Sequence, residues 1–107
     1  VNFFKMLEMI QQRPGLYLSS PSVLHLDSYL QGYFVAKFEI GEVEPSQEEV
    51  EFYDFQKWIR DKFNITSNQS WSQIIFFYSV NEQNSLDLFF ELLEEFKGIR
   101  ENDRSRE

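Results

Sequence analysis

The sequence predicts an all-α protein, a compact single-domain bundle of four to five helices. Apolar residues recur at three- and four-residue spacing through most of the chain. Helix-starting residues precede these runs, and Ser46 with Glu49 and Ser70 with Gln73 have the spacing of capping boxes. Helix-stopping signals, Pro14-Gly15 and Gly41, stand where two of the runs end.

In chain order, Asn2 is a good N-cap, and Phe3, Met6, Leu7 and Ile10 form the apolar stripe of a first helix that Pro14-Gly15 stops. Leu16, Tyr17 and Leu18 are expected to pin this turn to the core. Ser19-Ser20-Pro21 restarts helix with proline in the first turn. The second helix is expected from about Pro21 to Ile40, with Val23, Leu26, Leu30, Tyr33, Phe34 and the stem of Lys37 on one side. After the loop Glu42-Val43-Glu44-Pro45, a third helix capped by Ser46 runs to about Phe63 on a stripe of Phe52, Phe55, Ile59 and Phe63.

Asn64 to Gln69 reads as a turn. Trp71 to Tyr78 is ambiguous, since the capping box favours a short helix and the β-branched and aromatic run suits a buried strand. With no evident partner strand, helix is the reading. The last helix runs from about Glu82 to Ile99 and turns Leu86, Phe89, Phe90, Leu93 and Phe96 inward. Residues 1–99 thus form one domain, and 100–107 a charged tail without apolar anchors that is expected to fray.

Composition narrows the function. The 107 residues hold 10 Lys and Arg against 18 Asp and Glu, a formal net charge of -8. Such a chain is repelled by nucleic acids and anionic membranes, so neither is an expected direct partner, and a basic protein is the complementary one. There is no cysteine, which excludes disulfides, thiol catalysis and Cys-ligated zinc. Val1 to Ile10 is broken by Asn2, Lys5 and Glu8 and is not read as a signal peptide, and no run approaches the ~18 apolar residues of a membrane helix. The cytoplasm is the expected compartment.

Candidate chemistry is sparse. The one histidine, His25, lies on the polar side of the second helix with no nucleophile placed beside it, and is expected to be a surface residue. Asp87 and Glu91, four apart, have the spacing to hold a hard cation, but a di-metal bundle needs Glu-x-x-His units on two helices. Solvated helix faces explain the carboxylates better, so no catalytic residue, metal or cofactor is expected. Arg13-Pro14-Gly15-Leu16-Tyr17-Leu18 is similar to a short segment of type II topoisomerase ATPase domains. No glycine-rich ATP lid follows in a chain with four glycines, and ATP binding is not expected.

The acidic pattern is more informative. From Glu42 to Asp54 there are six acids, Glu42, Glu44, Glu48, Glu49, Glu51 and Asp54, and no base. Glu51, Asp54, Trp58 and Asp61 share a face of the third helix, with Lys57 and Arg60 on the other flank, and Asp87, Glu91 and Glu94 form a second acidic row on the last helix. The candidate partner-binding residues are therefore Glu42, Glu44, Glu48, Glu51, Asp54, Trp58, Asp61, Asp87, Glu91 and Glu94. An acidic field speeds encounter with a basic partner, and an aromatic such as Trp58 is a favoured interface anchor. Two plainer readings stand beside these: a solvated surface kept for solubility, and Trp58 packed on a neighbouring helix.

In addition, the chain resembles small helical bacterial immunity proteins of contact-dependent growth inhibition and related polymorphic toxin systems. The resemblance lies in Arg13-Pro14-Gly15-Leu16-Tyr17-Leu18, Leu30-Gln31-Gly32-Tyr33, Phe55-Gln56-Lys57-Trp58-Ile59, Ser70-Trp71 with Ile74-Ile75, and Leu88-Phe89-Phe90-Glu91-Leu92-Leu93. Ser19 departs from the small, glycine-like residue expected after the Arg-Pro-Gly turn. The resemblance implies inhibition of a cognate toxin domain, a basic nuclease or ribonuclease, by binding to it. A helical adaptor or subunit of a larger assembly is the alternative, and an enzyme with a carboxylate-bound cation a third. Oligomeric state is not specified by any of these features.

Overall fold

The computed structural model describes residues 2–106 and contains six helical segments. They are α1 (Phe3–Gln12), α2 (Pro14–Tyr17), α3 (Val23–Glu39), α4 (Gln47–Lys62), α5 (Trp71–Phe77) and α6 (Glu82–Arg106). No strand occurs among the described residues, and the fold is an all-α single domain.

The caps stand where side-chain chemistry places them. Asn2 accepts the Lys5 amide at the start of α1. Ser46 with Glu49 and Ser70 with Gln73 form reciprocal capping boxes on α4 and α5. Two helices end in the same motif. At the end of α3, the Glu42 N–H donates to the Lys37 carbonyl at 2.9 Å and the Gly41 N–H to that of Phe38 at 3.0 Å, with Gly41 at φ 86°. At the end of α4, Ile65 N–H donates to Arg60 at 2.9 Å and Asn64 N–H to Asp61 at 3.2 Å, with Asn64 at φ 54°. Both are left-handed terminations in which the residue after the cap reverses the chain.

Four boundaries differ from expectation. Pro14-Gly15 ends α1 but then opens a single turn, α2, that leaves Leu16 at 69% exposure while Leu18 is buried and Tyr17 half-buried. Helix α3 starts at Val23, not Pro21, because the Ser22 side chain caps it by accepting the Leu24 amide and Val23 N–H is taken by the Ser85 hydroxyl at 3.0 Å. It stops at Glu39, with Ile40 as its cap. The tail is helical. Helix α6 continues past Ile99 to Arg106, while Glu107 lies outside the described residues. Arg100 bonds Asp54 at 2.9 Å and Arg104 bonds Glu51 at 2.6 Å, so the anchors of the last turns are ionic and cannot be found by looking for apolar ones.

The ambiguous segment at Trp71 is the centre of the packing. Helix α5 touches α3, α4 and α6, and its Trp71, Ser72, Ile74 and Ile75 are buried. Around it lies an aromatic cluster in which the Phe52 ring centroid is 5.1 Å from Phe3, 5.8 Å from Phe55, 5.4 Å from Trp71 and 6.3 Å from Phe89. These spacings fall in the favourable range for aromatic pairs, worth about 0.5–1.5 kcal/mol each beyond burial. The predicted inward residues Val23, Leu26, Leu30, Phe52, Phe55, Ile59, Leu86, Phe89, Phe90, Leu93 and Phe96 are all buried, and Tyr33, Phe34 and Phe63 are half-buried at the edge.

Candidate protein-binding surface

The structure divides the ten candidate partner-binding residues into two groups. Four residues are engaged within the fold. Glu48 Oε1 accepts the Phe4 N–H at 2.9 Å, placing a carboxylate at the N-terminus of α1. Glu51 and Asp54 hold the end of α6 through Arg104 and Arg100. Trp58 is half-buried, its ring centroid 6.1 Å from Phe55 and 5.6 Å from Phe96, with Lys62 Nζ 5.3 Å above it. This is the packing role for Trp58, not a projecting anchor.

The second group faces solvent. Glu42 and Glu44 are exposed on the α3–α4 loop, Asp61 on α4, and Asp87, Glu91 and Glu94 along α6. Glu94 is loosely paired with Lys97 at 3.7 Å, and Asp87 accepts from Gln83 at 3.4 Å. The ten residues therefore do not form one face.

At the α3–α4 corner the acids coincide with exposed apolar groups. Phe38 is 68% exposed, Val43 62% and Tyr53 44%. With Phe34, Glu42, Glu44 and Pro45 they surround a cavity of about 160 Å³, and Tyr53 stacks on Phe34 at 5.7 Å. Phe38 and Tyr53 were missed in the sequence. A signal was present for Phe38: with Val35 it lies off the Val23–Leu26–Leu30 stripe, so α3 is apolar on more than its core side.

Beneath this corner is a buried ionic network. Lys37 Nζ lies 2.8 and 2.7 Å from the two Glu49 carboxylate oxygens, the Tyr33 hydroxyl donates to Oε2 at 2.6 Å, and the Ser46 N–H donates to Oε1 at 2.8 Å. Burial alone would raise the Glu49 carboxyl. The hydrogen bonds from Lys37, Tyr33 and Ser46 outweigh it and hold the group at about 2, below its ordinary 4.5. Burial, then the hydrogen bond to Glu49 and that residue's charge, pushes the Tyr33 phenol well above its ordinary value. Glu49 is thus a structural carboxylate, and Lys37 is neutralised where it meets the cavity.

A second exposed apolar region surrounds the end of α5. Phe77 is 72% exposed and Val80 87%, and Phe76 and Phe77 border a concavity with Leu24, Gln69 and Gln73. Residues 64–81 contain no charged side chain. His25 is exposed, and no grouping of three or more His, Asp or Glu side chains suited to a metal ion occurs among the described residues. Among them, too, no helix is long and apolar enough to cross a membrane. In comparisons with known proteins, no family model, curated protein or solved structure matches the chain.

Proposed function

We propose that this protein is an immunity protein that binds a basic toxin domain, a nuclease or ribonuclease, and neutralises it by occupying its cleft. The observation that carries the reading is the charge left over after folding. Six of the ten Lys and Arg residues pair with acids of the same chain, while Glu42, Glu44, Asp61, Asp87 and Glu91 face solvent with no ion-pair partner among the described residues. A nuclease cleft contacts phosphates through Lys and Arg, so an acidic protein is attracted to it and excludes the nucleic acid once bound. No catalysis is required, and slow dissociation suffices. The resemblance to helical immunity proteins points the same way, and on this reading the protein acts in the bacterial cytoplasm, where an incoming toxin would be met.

Co-expression with the product of the gene immediately upstream, where an immunity protein's toxin is expected, tests the proposal. A stable complex on co-purification, together with rescue of growth, is the expected result. Failure of both overturns it.

A helical adaptor or subunit of a larger assembly is the second reading, favoured by the uncharged apolar surface of Phe76, Phe77, Tyr78 and Val80. A stable partner unrelated to toxicity, seated on that surface, would establish it instead.

A further inference from the structure

We infer that the α3–α4 corner is the contact surface, and that it takes a partner segment in which Lys or Arg residues flank a protruding aromatic or aliphatic side chain. The inference rests on the binding proposal above and adds the place and the chemistry of recognition.

Two independent features meet at this corner. Phe38, Val43 and Tyr53 are exposed around a cavity of about 160 Å³ whose lining also includes the Lys37–Glu49 pair. Glu42 and Glu44 stand on its rim, with Glu39 exposed on the adjoining last turn of α3. Exposed apolar groups beside a charged rim are the arrangement in which an apolar anchor supplies affinity and the rim selects the partner. The complementary surface is apolar at its centre and cationic around it. Lys37 does not oppose this, since its ammonium is paired with Glu49.

Both ends of the loop are also held before any partner arrives. Gly41 and the two hydrogen bonds to Lys37 and Phe38 fix its start, and the Ser46–Glu49 capping box fixes its end. Little ordering is then required on binding. Between Glu82 and Lys97 no large apolar side chain is exposed beside the row Asp87, Glu91 and Glu94, and the α5 surface has the apolar groups without the acids. Of these three surfaces, the corner combines both.

The experiment is a titration of the full, isotope-labelled chain with the peptide Lys-Arg-Trp-Leu-Arg-Lys, followed by amide chemical shifts. Shifts clustered on residues 38–44 and Tyr53 are expected, with the peptide Gln-Gln-Trp-Leu-Gln-Gln binding about tenfold more weakly. Phe38→Ser and the pair Glu42→Lys with Glu44→Lys should each weaken binding about tenfold at unchanged melting temperature, because all three side chains are exposed. Shifts centred on α5 or α6, or none, would overturn the inference. A toxin complex that forms but is insensitive to these substitutions also overturns it, while leaving the immunity reading in place. Peptide binding at the corner with no capture of the toxin domain has the reverse meaning.

Discussion

Lys37, on the last turn of α3, places its ammonium 2.7 Å from a carboxylate oxygen of Glu49, in the first turn of α4. The Glu49 side chain is almost wholly enclosed, yet every buried side-chain polar atom among the described residues has a hydrogen-bond partner. This pair joins the two helices that carry the exposed corner, and it turns one of the six clustered acids into part of the scaffold.

Removing one partner of such a pair strands the other. Glu49→Ala is expected to lower stability by about 3 kcal/mol, because Lys37 and the Tyr33 hydroxyl lose their acceptor and the capping box is broken. Glu48→Ala, one residue away, loses only one hydrogen bond, to Phe4, and should cost about 1 kcal/mol. Urea denaturation of the two variants would measure the difference, and equal losses would contradict the network.

The same network fixes a pH dependence. Glu49 titrates at about 2 in the folded chain and near 4.5 when unconstrained, so between these values the unfolded state binds more protons and stability rises with pH. The contribution is complete above about pH 4.5 and is lost as pH falls toward 2, amounting to about 3 kcal/mol. Glu49→Gln should flatten the stability profile in this window. Denaturation followed at several pH values from 7 to 2 would show whether it does.

The end of α6 depends on α4. Reversing Glu51 and Asp54 to Lys sets them against Arg104 and Arg100, and amides from Arg100 to Ser105 should exchange hydrogen faster. The loss in global stability is expected to be about 1 kcal/mol or less per pair, since these pairs are partly solvated. Reversing Asp61, which is exposed and outside both pairs, should leave that exchange unchanged.

Phe52 sits at the middle of the aromatic cluster and is 1% exposed. Phe52→Ala is expected to cost about 3–5 kcal/mol through lost burial and the cavity left behind. Leu16→Ser, in the α2 turn that leaves its side chain in solvent, should change stability by no more than about 0.5 kcal/mol. Melting temperatures of the two variants provide the check.

Gly41 closes α3 at φ 86°, and a Cβ added there meets no atom within 4 Å. Gly41→Ala should therefore lose about 1 kcal/mol from backbone strain alone, with no steric contribution. Asn64→Gly, at the equivalent position after α4, should be neutral or slightly stabilising. A thermal unfolding series would separate these two from a substitution that clashes.

What the sequence determined by itself was whatever depends on neighbours in the chain. The capping boxes at Ser46 and Ser70, the reversal at Gly41 and the stripe Phe52–Phe55–Ile59 are set by contacts within a few residues, and each was readable from spacing alone. The segment at Trp71 was ambiguous in sequence between helix and strand, and the local capping box at Ser70 pointed to the helix that forms. Tertiary structure decided how the charges are used. Local spacing put Glu51, Asp54 and Trp58 on one face, but could not show that residues 46 or more positions away, Arg100 and Arg104, close over the two acids, or that Phe96 covers Trp58. It likewise left Phe38, Val43 and Tyr53 uncovered beside Glu42 and Glu44. A charge acts on whatever lies within a few ångströms, and which groups lie that close is settled only when the helices pack.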